Sequence, residues 1–199
     1  MVGLSRQLFE GEKVCLTTFQ PDKDSEIESR WTHDPEFWHL TSPKPARPLS
    51  AAQVKKNREK LASEAKERPN RFDLAVRLRG DNRLIGFAQL DSVEWNHGHA
   101  WMHVAIGDPA DRGQGCGSET LKLLLRYAFH ELNLFRLTTE VCEYNTRGLR
   151  FLERHGFAVE VRRRQAIHRL GRRWDDLRLG LLKEEWQNSE GKKGKEGNG

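Results

Sequence analysis

The sequence predicts an α/β fold in which a mixed sheet is flanked by helices. Short runs of alternating apolar and polar residues, which are typical of half-buried strands, outnumber the segments with helical spacing. The clearest helical segment, residues 118–132, carries an apolar stripe that must pack against a sheet. Strand and helix signals do not alternate regularly, so a doubly wound dinucleotide-binding fold is not expected.

The N-terminal part of the chain predicts one strand and two helices. Residues 13–20 alternate well enough for a first strand, and residues 22–34 have a polar start followed by a short helical pattern. Three prolines interrupt residues 40–50 and predict a surface loop, because proline cannot continue a helix. A second helix is expected from the N-cap Ser50 to about Pro69, with a thin apolar stripe that predicts a surface position.

Three strands are predicted next. Residues 71–93 form two alternating runs joined by Gly80-Asp81-Asn82, which is a hairpin pattern. Residues 97–107 supply a third strand, and its loss of strict alternation around residues 103–105 predicts a β-bulge.

After the helix 118–132, the chain predicts a strand, a short helix and a final hairpin. The strand covers residues 134–145, and the short helix has Asn145 as its N-cap and Gly156 just past its end. Two alternating runs around Leu170-Gly171 form the hairpin.

Composition predicts one domain with a polar tail. Residues 187–199 contain no apolar side chain and are expected to be disordered, so residues 1–186 form the predicted domain. No apolar run approaches the roughly 20 residues that span a bilayer, and the N-terminus lacks a signal-peptide pattern, so a cytoplasmic location without membrane partners is expected. The three widely separated cysteines predict neither disulfides nor a structural metal site. The net charge of +5 fits an anionic partner or simple solubility.

A glycine-rich loop, "RGQGCGSE" at residues 112–119, lies between a predicted strand and the helix 118–132. The first amides of a helix lack intrahelical partners and carry a partial positive charge, so the loop could hold an anion there. Glycines at such a junction are also compatible with close packing alone. A Walker loop is excluded because no lysine follows Gly117, and the glycine spacing differs from a dinucleotide fingerprint.

Two motifs in sequence order resemble those of the GNAT superfamily of acyl-coenzyme A N-acyltransferases. Arg112, Gly115 and Gly117 match the family loop Arg/Gln-x-x-Gly-x-Gly/Ala, and "NTRGLRFLERHGF", which starts at Asn145, resembles its second motif. The likeness covers about residues 10–186 and is closest to ribosomal-protein N-terminal acetyltransferases and spermidine acetyltransferases. It implies a GNAT-like α/β (α+β) fold, with a mostly antiparallel central sheet of about seven strands flanked by about four helices.

The resemblance implies that acetyl-coenzyme A is the co-substrate and that no metal is needed. Its pyrophosphate is expected on a cradle of seven loop residues, namely Arg112, Gly113, Gln114, Gly115, Cys116, Gly117 and Ser118. The pantetheine arm is expected along the strand backbone of His103, Val104, Ala105 and Ile106, where the family splays its sheet. Asn145 is expected to contact the arm, or to act only as a helix cap.

Acyl transfer to an amine requires a neutral nucleophile, so a base must remove a proton. The resemblance places Glu140 where some N-terminal acetyltransferases have this base, although a strand glutamate paired with an arginine would look the same. Leu152 stands where many members have a tyrosine acid, which leaves the acid open. The amide of Ala105 or Ile106 is expected to hold the oxyanion. Cys116 and Cys142 are expected to be buried rather than nucleophilic.

Two further groups, three histidines and three tryptophans, are candidate site residues. His97, His99 and His103 recur at even spacing, but no Asp or Cys completes a ligand set, so no metal is expected. Core packing is favoured over a substrate wall for the tryptophans of the acceptor region, which are Trp31, Trp38 and Trp95.

The sequence therefore predicts an N-acetyltransferase acting on a primary amine, either a small amine or polyamine or a protein N-terminus. The alternative is a non-catalytic coenzyme A-binding or RNA-associated module, suggested by Leu152 and by the basic C-terminal hairpin. Nucleic acid is not the expected partner, because the hairpin arginines lack interleaved aromatic residues. Many relatives pair through their sheets, which makes a homodimer compatible with the resemblance.

Overall fold

The computed structural model of the chain describes residues 8–67 and 70–196. Its strands are β1 (Val14–Thr17), β2 (Phe72–Leu78), β3 (Leu84–Glu94), β4 (His99–Ile106), β5 (Arg136–Cys142), β6 (Ala158–Arg169) and β7 (Arg172–Leu182). Its helices are α1 (Pro21–Thr32), α2 (Pro35–Thr41), α3 (Ala51–Glu67), α4 (Cys116–Arg126), α5 (Thr146–Arg154) and α6 (Lys183–Glu196).

All seven strands form one sheet in the order β1-β2-β3-β4-β5-β7-β6. Every neighbouring pair is antiparallel except β4 and β5, which run parallel. The predicted seven-stranded, mostly antiparallel sheet is therefore confirmed. The described residues form six helices rather than about four.

The parallel pairing of β4 with β5 is short. It joins His99–Trp101 to Arg136–Thr138 and extends no further. The space between residues 102–106 of β4 and residues 139–142 of β5 is called the sheet gap below. It lies next to the glycine-rich loop, which follows the C-terminal end of β4.

The bulge predicted around residues 103–105 is wrong. The β3–β4 register is continuous from Gly86–Ile106 to Asp91–Trp101, and the irregularity lies beyond it, between Asp91 and Glu94. Alternation in β4 breaks for a different reason, since apolar groups cover parts of both faces of this strand. Met102 is buried in the main core, whereas Ala105 is buried on the opposite face.

The main core lies between one face of the sheet and α4. The apolar stripe of this helix is fully buried there, as predicted, and includes Leu121, Leu124 and Leu125. A second, smaller core on the other face contains Trp31 of α1 and Phe37 of α2, packed against the sheet. The two cores leave part of that second face uncovered near the sheet gap.

Helix α2 was not predicted from the sequence, although Asp34 and Pro35 give its start a local signal, and its other end depends on distant residues. The Asp34 side chain caps its first turn by accepting from the amide of Glu36 at 2.9 Å. At its other end, the Tyr144 hydroxyl donates to the carbonyl of His39 at 2.7 Å, and Asn145 Nδ2 donates to that of Leu40 at 3.0 Å. These contacts stabilise a helix of seven residues that is too short to persist alone.

Helix α6 covers most of the segment 187–199 that was expected to be disordered, and residues 197–199 lie outside the described residues. Its start is anchored, since Trp186 packs against Phe129 and the Glu185 carboxylate accepts from the amide of Leu182 at 2.9 Å. A helix propagates more easily from a first turn that is already fixed. Within the described ranges, no helix is both long and apolar enough to cross a membrane.

Candidate functional site

The glycine-rich loop leads directly into α4, which begins at Cys116. Gly115 is the N-cap with a φ of 88°, and Gly113 has a φ of 79°, so both adopt a conformation that favours glycine. The first intrahelical bond runs from the amide of Glu119 to the carbonyl of Gly115. The amides of residues 116–118 therefore have no intrahelical acceptor, which fits the predicted anion cradle.

Two basic side chains that the sequence prediction missed lie beside this loop. Lys13 Nζ donates to the carbonyl of Gln114 at 2.8 Å. A Cβ atom placed on Gly113 would lie 3.1 Å from Arg147 Nη2, which shows how closely this guanidinium approaches the loop. Further along α5, Arg150 and Arg154 line an open groove together with Arg147. The positive charge around the loop thus comes from Lys13, directly before β1, and from α5.

Glu119 explains how Lys13 reaches the loop. Its carboxylate accepts hydrogen bonds from the amides of Glu12, Lys13 and Val14 at 2.6, 2.8 and 2.9 Å. This single side chain ties the first turn of α4 to the beginning of β1. The partners are more than 100 residues apart in sequence, so no local pattern could have revealed the contact.

The Arg112 side chain is held by groups at the end of β4 and on α2. Its Nε donates to the carbonyl of Ile106 at 3.1 Å, and its Nη2 donates to that of Gly107 at 2.6 Å. The same guanidinium lies 3.7 Å from Asp34 and 3.5 Å from Glu36. Its charge is therefore engaged by the end of β4 and by α2, and its contribution to the anion cradle stays a prediction.

The backbone of β4 alternates between β3 and the sheet gap. The amide of Gly107 donates to the carbonyl of Ile85 on β3 at 2.8 Å. The backbone N–H and C=O groups of successive residues in a strand point to opposite neighbours. Those of His103 and Ala105 therefore point towards β3, and those of Val104 and Ile106 point towards the sheet gap. Of the four strand residues predicted to pair with an extended arm, Val104 and Ile106 are suitably oriented. The amide of Ile106 also becomes the better oxyanion donor of the predicted pair.

Beside the sheet gap, the sheet presents an uncovered surface. We call it the open face, and it is formed by Trp101, His103, Glu140 and Arg178, with the buried Thr138 beside them. Register places their side chains together, because Trp101 pairs with Thr138 and Glu140 pairs with Arg178.

Glu140 is half-buried on this open face. Neither a hydrogen bond nor an ion pair holds its carboxylate among the described residues, so the alternative of a glutamate paired with arginine is not observed. The neighbouring Arg178 instead stacks on Trp101, with its guanidinium carbon 5.3 Å from the ring centroid. Glu140 is thus a carboxylate available to a ligand at the edge of the sheet gap.

His103 lies on the same face and contacts an acidic partner. Its Nε2 atom is 3.3 Å from Asp91 Oδ2, with 34% and 22% of the two side chains exposed. Burial acts to raise the pKa of Asp91, but hydrogen bonds from His103 and Ser92 and the charge of Arg71 outweigh it and lower that pKa. Asp91 is therefore ionised at neutral pH and can orient the imidazole.

The other two histidines have separate neighbours. His99 Nε2 lies 2.9 Å from the Thr138 hydroxyl, and His97 Nε2 lies 3.1 Å from Asn96 Nδ2. Among residues 8–67 and 70–196, no group of three His, Cys, Asp or Glu side chains is arranged to hold a metal ion.

Asn145 caps α5, as predicted, because its Oδ1 accepts from the amide of Gly148 at 2.8 Å. Its Nδ2 bond to Leu40 also connects this cap to α2. Leu152 is buried in the main core and offers no proton donor. Cys116 and Cys142 are buried as expected, and burial raises the pKa of both thiols, which disfavours nucleophilic thiolates.

The tryptophans of the predicted acceptor region occupy three environments. Trp31 is buried in the second core and covers Gly107 so closely that no Cβ would fit there. Trp38 donates from Nε1 to the carbonyl of Thr32 at 2.8 Å. Trp95 is half-exposed and packs edge-on against Phe72.

Comparisons with known proteins agree with this architecture. The family described as "Acetyltransferase (GNAT) domain" matches residues 13–158. Two relatives from Bacillus subtilis are the probable N-acetyltransferase YjcK, 31% identical over 113 residues (55% of this chain and 60% of the relative), and the SPbeta prophage-derived uncharacterized N-acetyltransferase YokL, 27% identical over 116 residues (58% and 65%). In both, the match spans less than two thirds of the relative's length.

A solved structure shares the fold over most of the chain. It is the spermidine N-acetyltransferase from Vibrio cholerae in complex with CoA and spermine, which superposes with a TM-score of 0.77 at 19% identity. The match covers 89% of this chain and 100% of that one.

Proposed function

The chain belongs to the GNAT acetyltransferase family, and on this premise we propose that it is an N-acetyltransferase using acetyl-coenzyme A as acetyl donor and a primary amine as acceptor. The observation that carries the proposal is the junction of β4 with α4. There, free helix amides, two positive-φ glycines and an unpaired strand edge lie next to one another. An anionic group with an extended arm fits such a junction.

The donor would bind along this junction. Its pyrophosphate would accept hydrogen bonds from the amides of residues 116–118, with Lys13 and Arg147 nearby as counter-charges. The pantetheine arm would lie in the sheet gap, where Val104 offers its amide and carbonyl and Ile106 offers its amide. Asn145 remains a proposed contact to the arm, and its capping bond leaves one Nδ2 proton beyond the bond to Leu40.

The reaction is direct attack of the amine on the thioester. Glu140 would take the first proton from the incoming ammonium, since its carboxylate is accessible at the sheet gap and would also attract a cation. The amide of Ile106 would stabilise the oxyanion as it forms. The thioester C–S bond then breaks to give the acetylated amine and coenzyme A.

The acceptor class is a primary amine, which includes polyamines, other small amines and protein N-termini. The Vibrio cholerae structure that shares this fold contains spermine. In this chain, Glu140 and Asp91 on or beside the open face favour any of these cations. A panel of acceptors distinguishes among them.

The test is release of free coenzyme A from acetyl-coenzyme A, followed with a thiol reagent. Spermidine, simple alkylamines and peptides with free N-termini serve as acceptors, and each product is confirmed by mass spectrometry. Turnover with at least one acceptor supports the proposal. Tight coenzyme A binding by calorimetry without turnover on any acceptor would instead support a non-catalytic module.

The hairpin of β6 and β7 offers little support for the RNA-associated alternative. Arg162 and Arg163 form ion pairs with Asp175 and Asp176 at 2.6 and 3.0 Å. Arg172 stacks on the Trp174 ring at 3.4 Å from its centroid. These arginines are occupied within the hairpin itself. A homodimer and a cytoplasmic location remain predictions, which light scattering and cell fractionation would test.

A further inference from the structure

Acetyl transfer leaves one proton without an assigned carrier. When a neutral amine attacks the thioester, its nitrogen must lose a proton, and the departing sulfur must gain one. The position at which the family resemblance expects a tyrosine acid holds Leu152, which is buried in the main core. Another side chain near the reacting atoms must therefore carry this proton, or solvent must do so.

The closed end of the sheet gap is where those atoms would lie. An extended arm that starts at the glycine-rich loop and follows β4 from Ile106 backwards runs towards the last β4–β5 pair, Trp101 with Thr138. Continuing that register by two residues places His103 level with Glu140. The two side chains share the open face and flank the sheet gap from opposite strands.

His103 has the contacts of an oriented imidazole. Its Nε2 faces the Asp91 carboxylate, and its Nδ1 has no hydrogen-bond partner in the part of the chain that the structure describes. About a third of the side chain is exposed, so a ligand can reach it. An acidic partner on one ring nitrogen selects the tautomer in which the other nitrogen can accept a proton.

We propose that His103, oriented by Asp91, accepts the proton that the amine nitrogen loses on attack and delivers it to the sulfur of the departing coenzyme A. The C–N bond forms as an N–H proton moves to the imidazole. The C–S bond then breaks, the imidazolium gives its proton to sulfur, and neutral His103 is regenerated. The inference rests on the proposed function and leaves the first proton of the ammonium to Glu140.

The charged surroundings of His103 are mixed. The acidic side chains on or next to its face of the sheet are Asp91 of β3, Glu140 of β5 and Asp73 of β2. The basic side chains there are Arg178 of β7, Arg71 next to β2, and Arg58 of α3, which lies near Phe87. Asp73 is engaged by Arg71 at 2.5 Å, and Arg58 by Glu28 at 2.8 Å. Asp91 and Glu140 therefore remain the acidic groups able to stabilise an imidazolium here.

The experiment compares H103Q, H103A and D91N with the wild type and with H97Q, a control histidine in the exposed turn before β4. Single-turnover acetyl transfer is measured from pH 5.5 to 9 with the best acceptor, and coenzyme A affinity is measured by calorimetry. We expect H103Q to lose about 10²-fold or more in rate at pH 7 with near-normal affinity, and D91N to lose less. H97Q should match the wild type.

Two further readouts separate proton transfer from a structural role. The pH dependence of the rate should change in H103Q, because this variant has no imidazole to accept and deliver the proton. Added imidazole should restore part of the rate of H103A, because the cavity admits a free proton carrier.

Three results would overturn the inference. A wild-type rate and profile in H103Q would refute it while leaving the proposed function intact. A slow H103Q with an unchanged profile and no rescue of H103A would assign His103 a structural role only. An inactive wild type with every acceptor would refute the proposed function and this inference with it.

Discussion

Replacing Glu119 by Gln tests whether one carboxylate holds the glycine-rich loop and α4 against β1. The variant keeps the shape of the side chain but can accept through only one oxygen, so one or two of the three bonds to residues 12–14 are lost. Hydrogen bonds to charged groups contribute about 1.5–3 kcal/mol each, and partial exposure argues for the lower end. We expect a loss of about 2 kcal/mol in the free energy of unfolding.

For a chain of this size, that loss lowers Tm by about 4–8 °C. Thermal unfolding followed by circular dichroism measures it, and E12Q is the matched control because the side chain of Glu12 is exposed. Coenzyme A affinity should fall as well, since Lys13 is no longer held beside the loop. A Tm of E119Q within 1 °C of the wild type, together with unchanged affinity, would refute the role assigned to Glu119.

Three other substitutions test the site and the core. G115V should weaken coenzyme A binding at least tenfold by calorimetry, because this N-cap position needs a positive φ and an open cradle. The control G80V, which has open space around it, should bind normally. Equal affinities of the two variants would contradict the cradle. E140Q should lower the rate about 10²-fold with little change in coenzyme A affinity, and a full rate between pH 6 and 8 would remove Glu140 as the base. D24N should lower the free energy of unfolding in urea by about 3–5 kcal/mol, because it leaves the buried Arg77 charge without its ion pair. A loss below about 1 kcal/mol would show that water reaches Arg77 and replaces the ion pair.

Local sequence patterns predicted much of this fold, because the residues that form them act on their own or the next turn of the chain. Gly115 and Asn145 act within one turn of their own helices, so their roles are visible in short motifs. The apolar stripe of α4 likewise predicts its buried face. Glycine and capping chemistry together placed the glycine-rich loop correctly at the start of α4.

Contacts between distant segments could not be predicted in this way. Lys13 reaches the loop only because Glu119 holds its backbone, and α2 forms because Tyr144 and Asn145 cap it from more than 100 residues away. Arg112 matches the motif in sequence, yet the carbonyls at the end of β4 engage its side chain. A residue type at a motif position therefore identifies the loop but not the direction of every side chain.

The short parallel seam between β4 and β5 divides the sheet into two antiparallel halves that share few direct bonds. In the proposed function, coenzyme A would occupy the remainder of that seam and serve as a removable strand. Binding would then stabilise the association of the two halves, by about 2.7 kcal/mol when the ligand is at one hundred times its Kd. The amide hydrogens of Val104 and Ile106 would exchange with solvent quickly in the free protein and slowly in the complex, so the cofactor completes the sheet that binds it.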